Sequence, residues 1–302
     1  MKNTFRSILV LFFLLFFGFS AKAQLTDLAR IEFTYFPQSD SDNSFRRFRT
    51  FFNFPIKLKK EGSYLVPGIE YRNVNFKFYD DTSFETFHLD RFQSITATLA
   101  YVFHLNNDWR MGLQTGAKAA SNFSTNHLLS DDIIYEGAVY FIKIKKGEDI
   151  LKPTRIIFGL HYSTTTGFPF PLPVAHYYKK FHPKWSYMLG VPKTNLKYHA
   201  NNRNVLQAFV TLDGFYANVQ DNFDITPSVQ DSTALADSMS MTVILAGLGY
   251  EYSITEHLGL YVYAGHTIMN DIRLRDVDRN DVYTINSVNT FYARGGLKFS
   301  VF

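Results

Sequence analysis

Cysteine is absent from the 302 residues. A chain with no cysteine has no disulfide framework and no thiolate nucleophile, so whatever holds it together outside the cytosol must be non-covalent. Tryptophan is scarce at two residues, and no charge of one sign dominates: 31 Lys and Arg stand against 27 Asp and Glu. Three of those bases, Lys2, Arg6 and Lys22, sit in the first 23 residues, so the remainder is close to neutral. That balance argues against a nucleic-acid binder, which carries a net basic chain or a strong basic patch. Beyond the leader there is no long apolar run either, which excludes a helical membrane span of roughly 20 residues.

The leader itself has three parts. Lys2 and Arg6 give a positive start, Ile8 to Phe19 is apolar, and Ala21-Lys22-Ala23 is a small-x-small cleavage pattern. Together they predict a secretory signal peptide over 1–23 and a mature chain from Gln24. The apolar stretch is too short to span a bilayer, and no cysteine follows to take a lipid anchor.

What is abundant is aromatic and alternating. The chain holds 31 Phe and 19 Tyr. Ala29, Ile31, Phe33 and Tyr35 interleave with Arg30, Glu32 and Thr34; Ile156, Phe158, Leu160 and Tyr162 interleave with Arg155 and His161; Leu206, Ala208, Val210 and Leu212 interleave with Gln207, Thr211 and Asp213. Period-two patterning is the mark of strands with one apolar and one polar face. Aromatic enrichment alone would suit a soluble β-sandwich equally. The connections decide between the two, because they alternate in length. Short turns at 59–62, 105–108, 145–148, 200–203 and 255–256 separate longer polar loops at 37–46, 79–90, 121–132, 220–240 and 271–288. Short turns on one side and long loops on the other are the signature of an outer-membrane barrel.

The prediction is therefore an all-β, transmembrane, antiparallel up-and-down β-barrel over 24–302. Its strands are expected near 28–36, 47–58, 63–78, 90–104, 108–121, 132–145, 153–165, 172–180, 184–190, 194–200, 203–219, 240–254, 257–270 and 288–302. That makes about 14 strands, an even number that puts both termini in the periplasm. Should 184–200 lie across the mouth as a hairpin, the count becomes 12. The last strand alternates through Leu297, Phe299 and Val301 and ends on Phe302, a finish that resembles the C-terminal signal read by outer-membrane assembly machinery. Phe302 is one residue out of phase with the other three.

The middle of the chain carries Phe168-Pro-Phe-Pro-Leu-Pro173, then Trp185, Leu189-Gly-Val-Pro-Lys-Thr194 and Tyr198. Repeated prolines are poor members of a central strand, since each removes a ladder donor. This stretch resembles an uncharacterised outer-membrane β-barrel family of Bacteroidetes, a domain of unknown function. The resemblance implies a barrel and no particular activity.

The polar face then becomes the candidate site. Arg30, Arg47, Arg49, Arg72, Arg110, Lys118, Arg155, Arg294 and Lys298 would line the lumen together with Glu32, Glu70, Glu136, Asp213 and Glu251. The basic members outnumber the acidic ones, which would bias passage toward anions. The same charges could instead pair across the lumen and plug it. Pro169, Pro171 and Pro173 are candidates for a constriction. No cofactor is implied.

Asp276-x-Asp-x-Asn-Asp281 spaces oxygen ligands as calcium loops do, but lacks the sixth-position glycine and the final Glu. It carries no metal assignment. No Gly-x-Ser-x-Gly and no paired-histidine spacing occurs, so a lipid-modifying enzyme is the weaker reading. The expected function is a passive channel or transporter for small solutes. The alternative is a closed structural or adhesive barrel acting through its loops. Expected partners are outer-membrane lipid or lipopolysaccharide and the assembly machinery, in a Gram-negative outer membrane.

Overall fold

The computed structural model describes residues 27–39, 43–78, 82, 84–145, 154–164, 171–225 and 235–300. The expected signal peptide over 1–23, Pro169, most of the 145–148 turn, Val301 and Phe302 lie outside the described residues. The strands are β1 (Ala29–Pro37), β2 (Ser44–Asn53), β3 (Ile56–Lys57), β4 (Tyr64–Lys77), β5 (Arg91–His104), β6 (Trp109–Ser121), β7 (Ile133–Lys145), β8 (Thr154–Ser163), β9 (Leu172–His182) and β10 (Trp185–Val191). They continue with β11 (Lys193–His199), β12 (Asn204–Asp224), β13 (Leu235–Ser253), β14 (Leu258–Arg275), β15 (Asp281–Asn286) and β16 (Phe291–Phe299). Each of the long strands pairs antiparallel with its neighbours in the chain, and β1 closes the ring against β16 from Ala29↔Phe299 to Tyr35↔Ala293. The ring is a closed 14-stranded barrel, with β3 and β15 as short accessories. The 184–200 segment is two wall strands, paired β9–β10–β11–β12, and the mouth hairpin is not formed.

The alternation decides which face meets what. On β1, Ile31 is 48% exposed and Phe33 51%, while Glu32 between them is 1% exposed. A soluble sheet would invert this order. Apolar side chains outside and ionic ones inside are what a wall between lipid and lumen requires. The pattern repeats around the ring, with Ile69, Phe158, Leu160, Leu206, Val210, Leu260 and Leu297 exposed on the outer wall. Backbone hydrogen bonds are satisfied strand to strand, as a lipid-exposed sheet demands.

Two expected loops are largely strand. Residues 220–224, 235–240, 271–275 and 281–286 extend or pair with β12, β13 and β14. The reason is apolar. Met239, Met241, Val243, Ile272 and Leu274 are buried, and they pack with Phe36, Phe45, Val74, Phe76 and Phe92 from the inner faces of β1, β2, β4 and β5. From Ala217 to Gln220 on β12 both faces of the strand are buried. The upper β12–β13 ribbon therefore leaves the wall and lies over the barrel interior. It is stitched to the far side, where Ser121 at the end of β6 donates to the Asn218 carbonyl (3.1 Å). Asn218 and Gln220 donate to the two oxygens of buried Asp132 (2.8 and 2.7 Å).

The bend has a local cause. The β13–β14 ladder shifts register between Ile244 and Leu245, and just beyond it Gly247 faces Gly265. A Cβ at Gly265 would come within 2.0 Å of the Ala246 carbonyl oxygen, so only glycine lets the strands approach this closely.

Candidate functional site

The inward positions divide into two walls. On the first, formed by β1, β2, β4, β12, β13, β14 and β16, the charges are paired. Arg47, 1% exposed, grips Asp213 with both terminal nitrogens (3.0 and 2.7 Å), crossing the lumen from β2 to β12. Arg294 reaches the same carboxylate from β16 (2.6 Å). Glu32 stands 3.6 Å from Arg47 and 3.7 Å from Arg294, and accepts a hydrogen bond from the Tyr261 hydroxyl (2.7 Å). Arg30 joins this group through Asp27 and Glu32. Bidentate guanidinium–carboxylate geometry is the strong form of such contacts.

Glu70 is held between Arg49 (2.6 Å) and Arg72, and Arg72 also donates to the Gly214 carbonyl across the lumen (3.2 Å). Nearer the end that carries the short 200–203 and 254–257 turns, Glu251 gathers Lys197 (2.8 Å), Lys298 (2.6 Å), Gln207 (2.9 Å) and the Tyr263 hydroxyl (2.9 Å). This wall is a network of ion pairs in mid-barrel, with the apolar packing of the β12–β13 ribbon above it.

The second wall, β6 to β11, is different. Its inward positions carry Arg110, Lys118, Arg155, Lys180, Lys193 and Lys197, and on these strands Glu136 is the one inward carboxylate among the described residues. Lys118 lies in the field of Arg72, Glu136 and Glu70, with no ion pair within bonding distance among the described residues. Arg155 stacks over the Tyr178 ring (5.7 Å) and Lys193 over Phe209 and Tyr263 (5.0 and 5.2 Å). Such cation–π contacts orient a cation without cancelling its charge.

Of the candidate lumen residues, the structure brings Arg30, Glu32, Arg47, Arg49, Glu70, Arg72, Asp213, Glu251, Arg294 and Lys298 into ion pairs. It leaves Arg110, Lys118, Glu136 and Arg155 on the second wall. Pro171 is exposed, and Pro173 is exposed opposite outward-facing Leu160, so neither narrows the lumen. Leu297 and Phe299 lie on β16, with Leu297 facing outward.

Sequence reading missed Tyr261, Tyr263, Gln207, Lys193 and Lys197. Their parity on strands with charged inward residues was the available signal. In the outer hairpin, Asp281 takes Arg273 (3.0 Å) and Arg275 (2.9 Å), while Asp276 accepts from Asn280. Asp276 and Asp281 of the alternating acidic segment thus meet protein donors. Among the described residues no group of three or more His, Asp or Glu could hold a metal. Ser186 and His199 make a hydrogen bond at 3.0 Å on the inner face of β10 and β11.

A closed ring with an apolar, strand-built outer wall and an ionic interior defines a membrane-spanning β-barrel of the outer-membrane type. Within that class the chain belongs to the family described as domain of unknown function DUF6268, which it matches over residues 19–300. No curated protein matches it. Solved structures resemble it at low likeness. The KdgM porin is 8% identical, with 90% of this chain and 99% of that chain covered and a TM-score of 0.35. LpxR from Salmonella typhimurium is 7% identical, with 90% and 100% covered and a TM-score of 0.39. The outer membrane phospholipase OMPLA of Salmonella typhi is 9% identical, with 94% of each chain covered and a TM-score of 0.39. Likeness at this level assigns no role.

Proposed function

We propose that the protein is an integral outer-membrane barrel of a Gram-negative cell that passes small anionic solutes along one side of its lumen. The observation that carries this reading is the asymmetry of the interior. On β6 to β11 six inward cations stand with one inward carboxylate on the same strands among the described residues. Of them Lys197 pairs with Glu251 of the opposite wall, whose own charges are largely matched. A pore lining with unbalanced positive charge favours anions. The β12–β13 ribbon narrows the upper barrel, so the conduit is a slot against the second wall and a wide pore is not expected.

A second reading rests on the apolar packing of that same ribbon, which favours a closed barrel acting through its outer loops. One experiment separates them. The refolded protein is placed in a planar bilayer under a salt gradient, alone and as the Lys118→Glu, Arg155→Glu pair. Anion-selective steps that turn cation-selective in the double variant support the conduit. A folded protein that conducts nothing supports the closed barrel. In either case β16 and its alternating end would be the segment offered to the assembly machinery, and the exposed wall the surface offered to outer-membrane lipid and lipopolysaccharide.

A further inference from the structure

The barrel wall is uneven. β10 and β11 are each seven residues long, joined by a tight turn at Pro192, while β12 beside them runs for 21. The β11–β12 ladder ends at Lys193↔Thr211, followed only by the Leu212 amide donating to the Pro192 carbonyl (2.8 Å). On the other side the β9–β10 ladder ends at Val191↔Ala175. Above this tip, β12 turns inward to β6, so among the described residues no strand fills the wall between β9 and β12.

Seven residues at a rise of about 3.3 Å and a tilt of about 40° climb about 18 Å, short of an apolar band about 25 Å tall. The gap therefore opens at the depth of the outer leaflet.

Beside the gap lies a groove of about 960 Å³ on the outer wall. Leu189, Leu196 and Leu248 stand along its sides, and Ala208, Ala246 and Gly247 form its floor. Thr194, at the hairpin, lines it too, and the preceding residue is Lys193, turned inward onto Phe209 and Tyr263. An apolar trough in the hydrocarbon layer thus ends beside a gap whose inner edge carries a cation in no ion pair among the described residues.

We infer that this gap and groove admit a single-chain amphiphile with an anionic head from the outer leaflet, its chain along the groove and its head toward Lys193. The inference rests on the anionic-conduit reading for where the head would go next, and extends it from hydrophilic anions to fatty-acid-like ones. A hydrocarbon chain fits the apolar floor, and a carboxylate or phosphate head finds a cation at the end of the trough beside the gap.

The test uses the full chain refolded in nanodiscs with a diazirine-bearing palmitate as probe. Photo-labelling is expected on peptides containing Leu189, Leu196 and Leu248 and is competed by unlabelled palmitate. Ala208→Phe, which fills the groove from the lipid side, should cut the competed labelling about ten-fold, the equivalent of roughly two buried methylenes. Lys193→Glu should cut it as well. Because Lys193→Glu disturbs aromatic stacking, heat-modifiable gel mobility is checked for both variants. Labelling spread evenly round the wall, Ile69 and Phe158 included, and insensitive to competitor would overturn the proposal. So would exclusion of the probe by a second copy, seen as a dimer in sedimentation. The two readings fail separately: competed labelling in a silent bilayer keeps the lipid site and removes the conduit, and anion conduction without competed labelling does the reverse.

Discussion

The two walls of the interior solve one problem in opposite ways. A charge inside a barrel loses solvation and must regain it from partners or from lumen water. Across β1, β2, β4, β12, β13, β14 and β16, partners do the work: Asp213 serves two arginines, Glu251 two lysines and Glu70 two arginines. Across β6 to β11, Lys197 reaches over to Glu251 of the first wall, while Arg155 and Lys193 lie against aromatic rings. The first wall reads as structure and the second as a lining.

The sharpest way to break that comparison is to remove a shared acid. Asp213→Ala takes away the close carboxylate of Arg47 and Arg294 and leaves them Glu32 at 3.6 and 3.7 Å. A loss of about 3–5 kcal/mol is expected, as for other buried pairs deprived of one partner, and it is measured by denaturant unfolding in detergent micelles. A destabilisation as small as that from Lys118→Ala on the second wall would erase the distinction. The next effect is at the pinch: Gly265→Ala forces a Cβ against the Ala246 carbonyl, and about 1–3 kcal/mol should be lost to overpacking.

Tyr261→Phe removes only the hydroxyl that donates to buried Glu32, with an expected cost of about 1.5–3 kcal/mol for a bond to a charged acceptor. The smallest effect lies outside the membrane. Asn280 donates to Asp276 and holds its carboxyl below the usual aspartate range. A lowered folded value means the turn at 276–280 is favoured above the ordinary aspartate pKa and loses that support as pH falls through the lower value. The protection factor of the Asn280 amide, measured against the intrinsic rate at each pH, should fall in acid, and Asp276→Asn should abolish that pH dependence.

The strand count and most boundaries were legible because lipid enforces period-two patterning more strictly than water does. Even the short β10 and β11 were visible as segments, although their length favoured a hairpin over the mouth as one option. What could not be read was the upper interior. Phe45, Val74, Phe76 and Phe92 face inward and are buried, so alternation there is apolar against apolar and carries no side label. For the same reason 235–240 resembled a polar loop, because Ser238 and Ser240 interrupt a ribbon whose methionines are core. Parity groups the charges on one face of the strands, but pairing depends on which strands meet across the ring. Arg47 and Asp213 are 166 residues apart, and only closure brings them together.

A barrel is also a hoop, and a hoop parts at its thinnest link. The β12–β13 ladder runs almost the length of both strands, and the β1–β16 seam holds from Ala29 to Tyr35. Between β10 and β11 the register covers only Trp185 to Met188. Tension around the girth would therefore unzip this link first, leaving the closure of the first strand on the last intact.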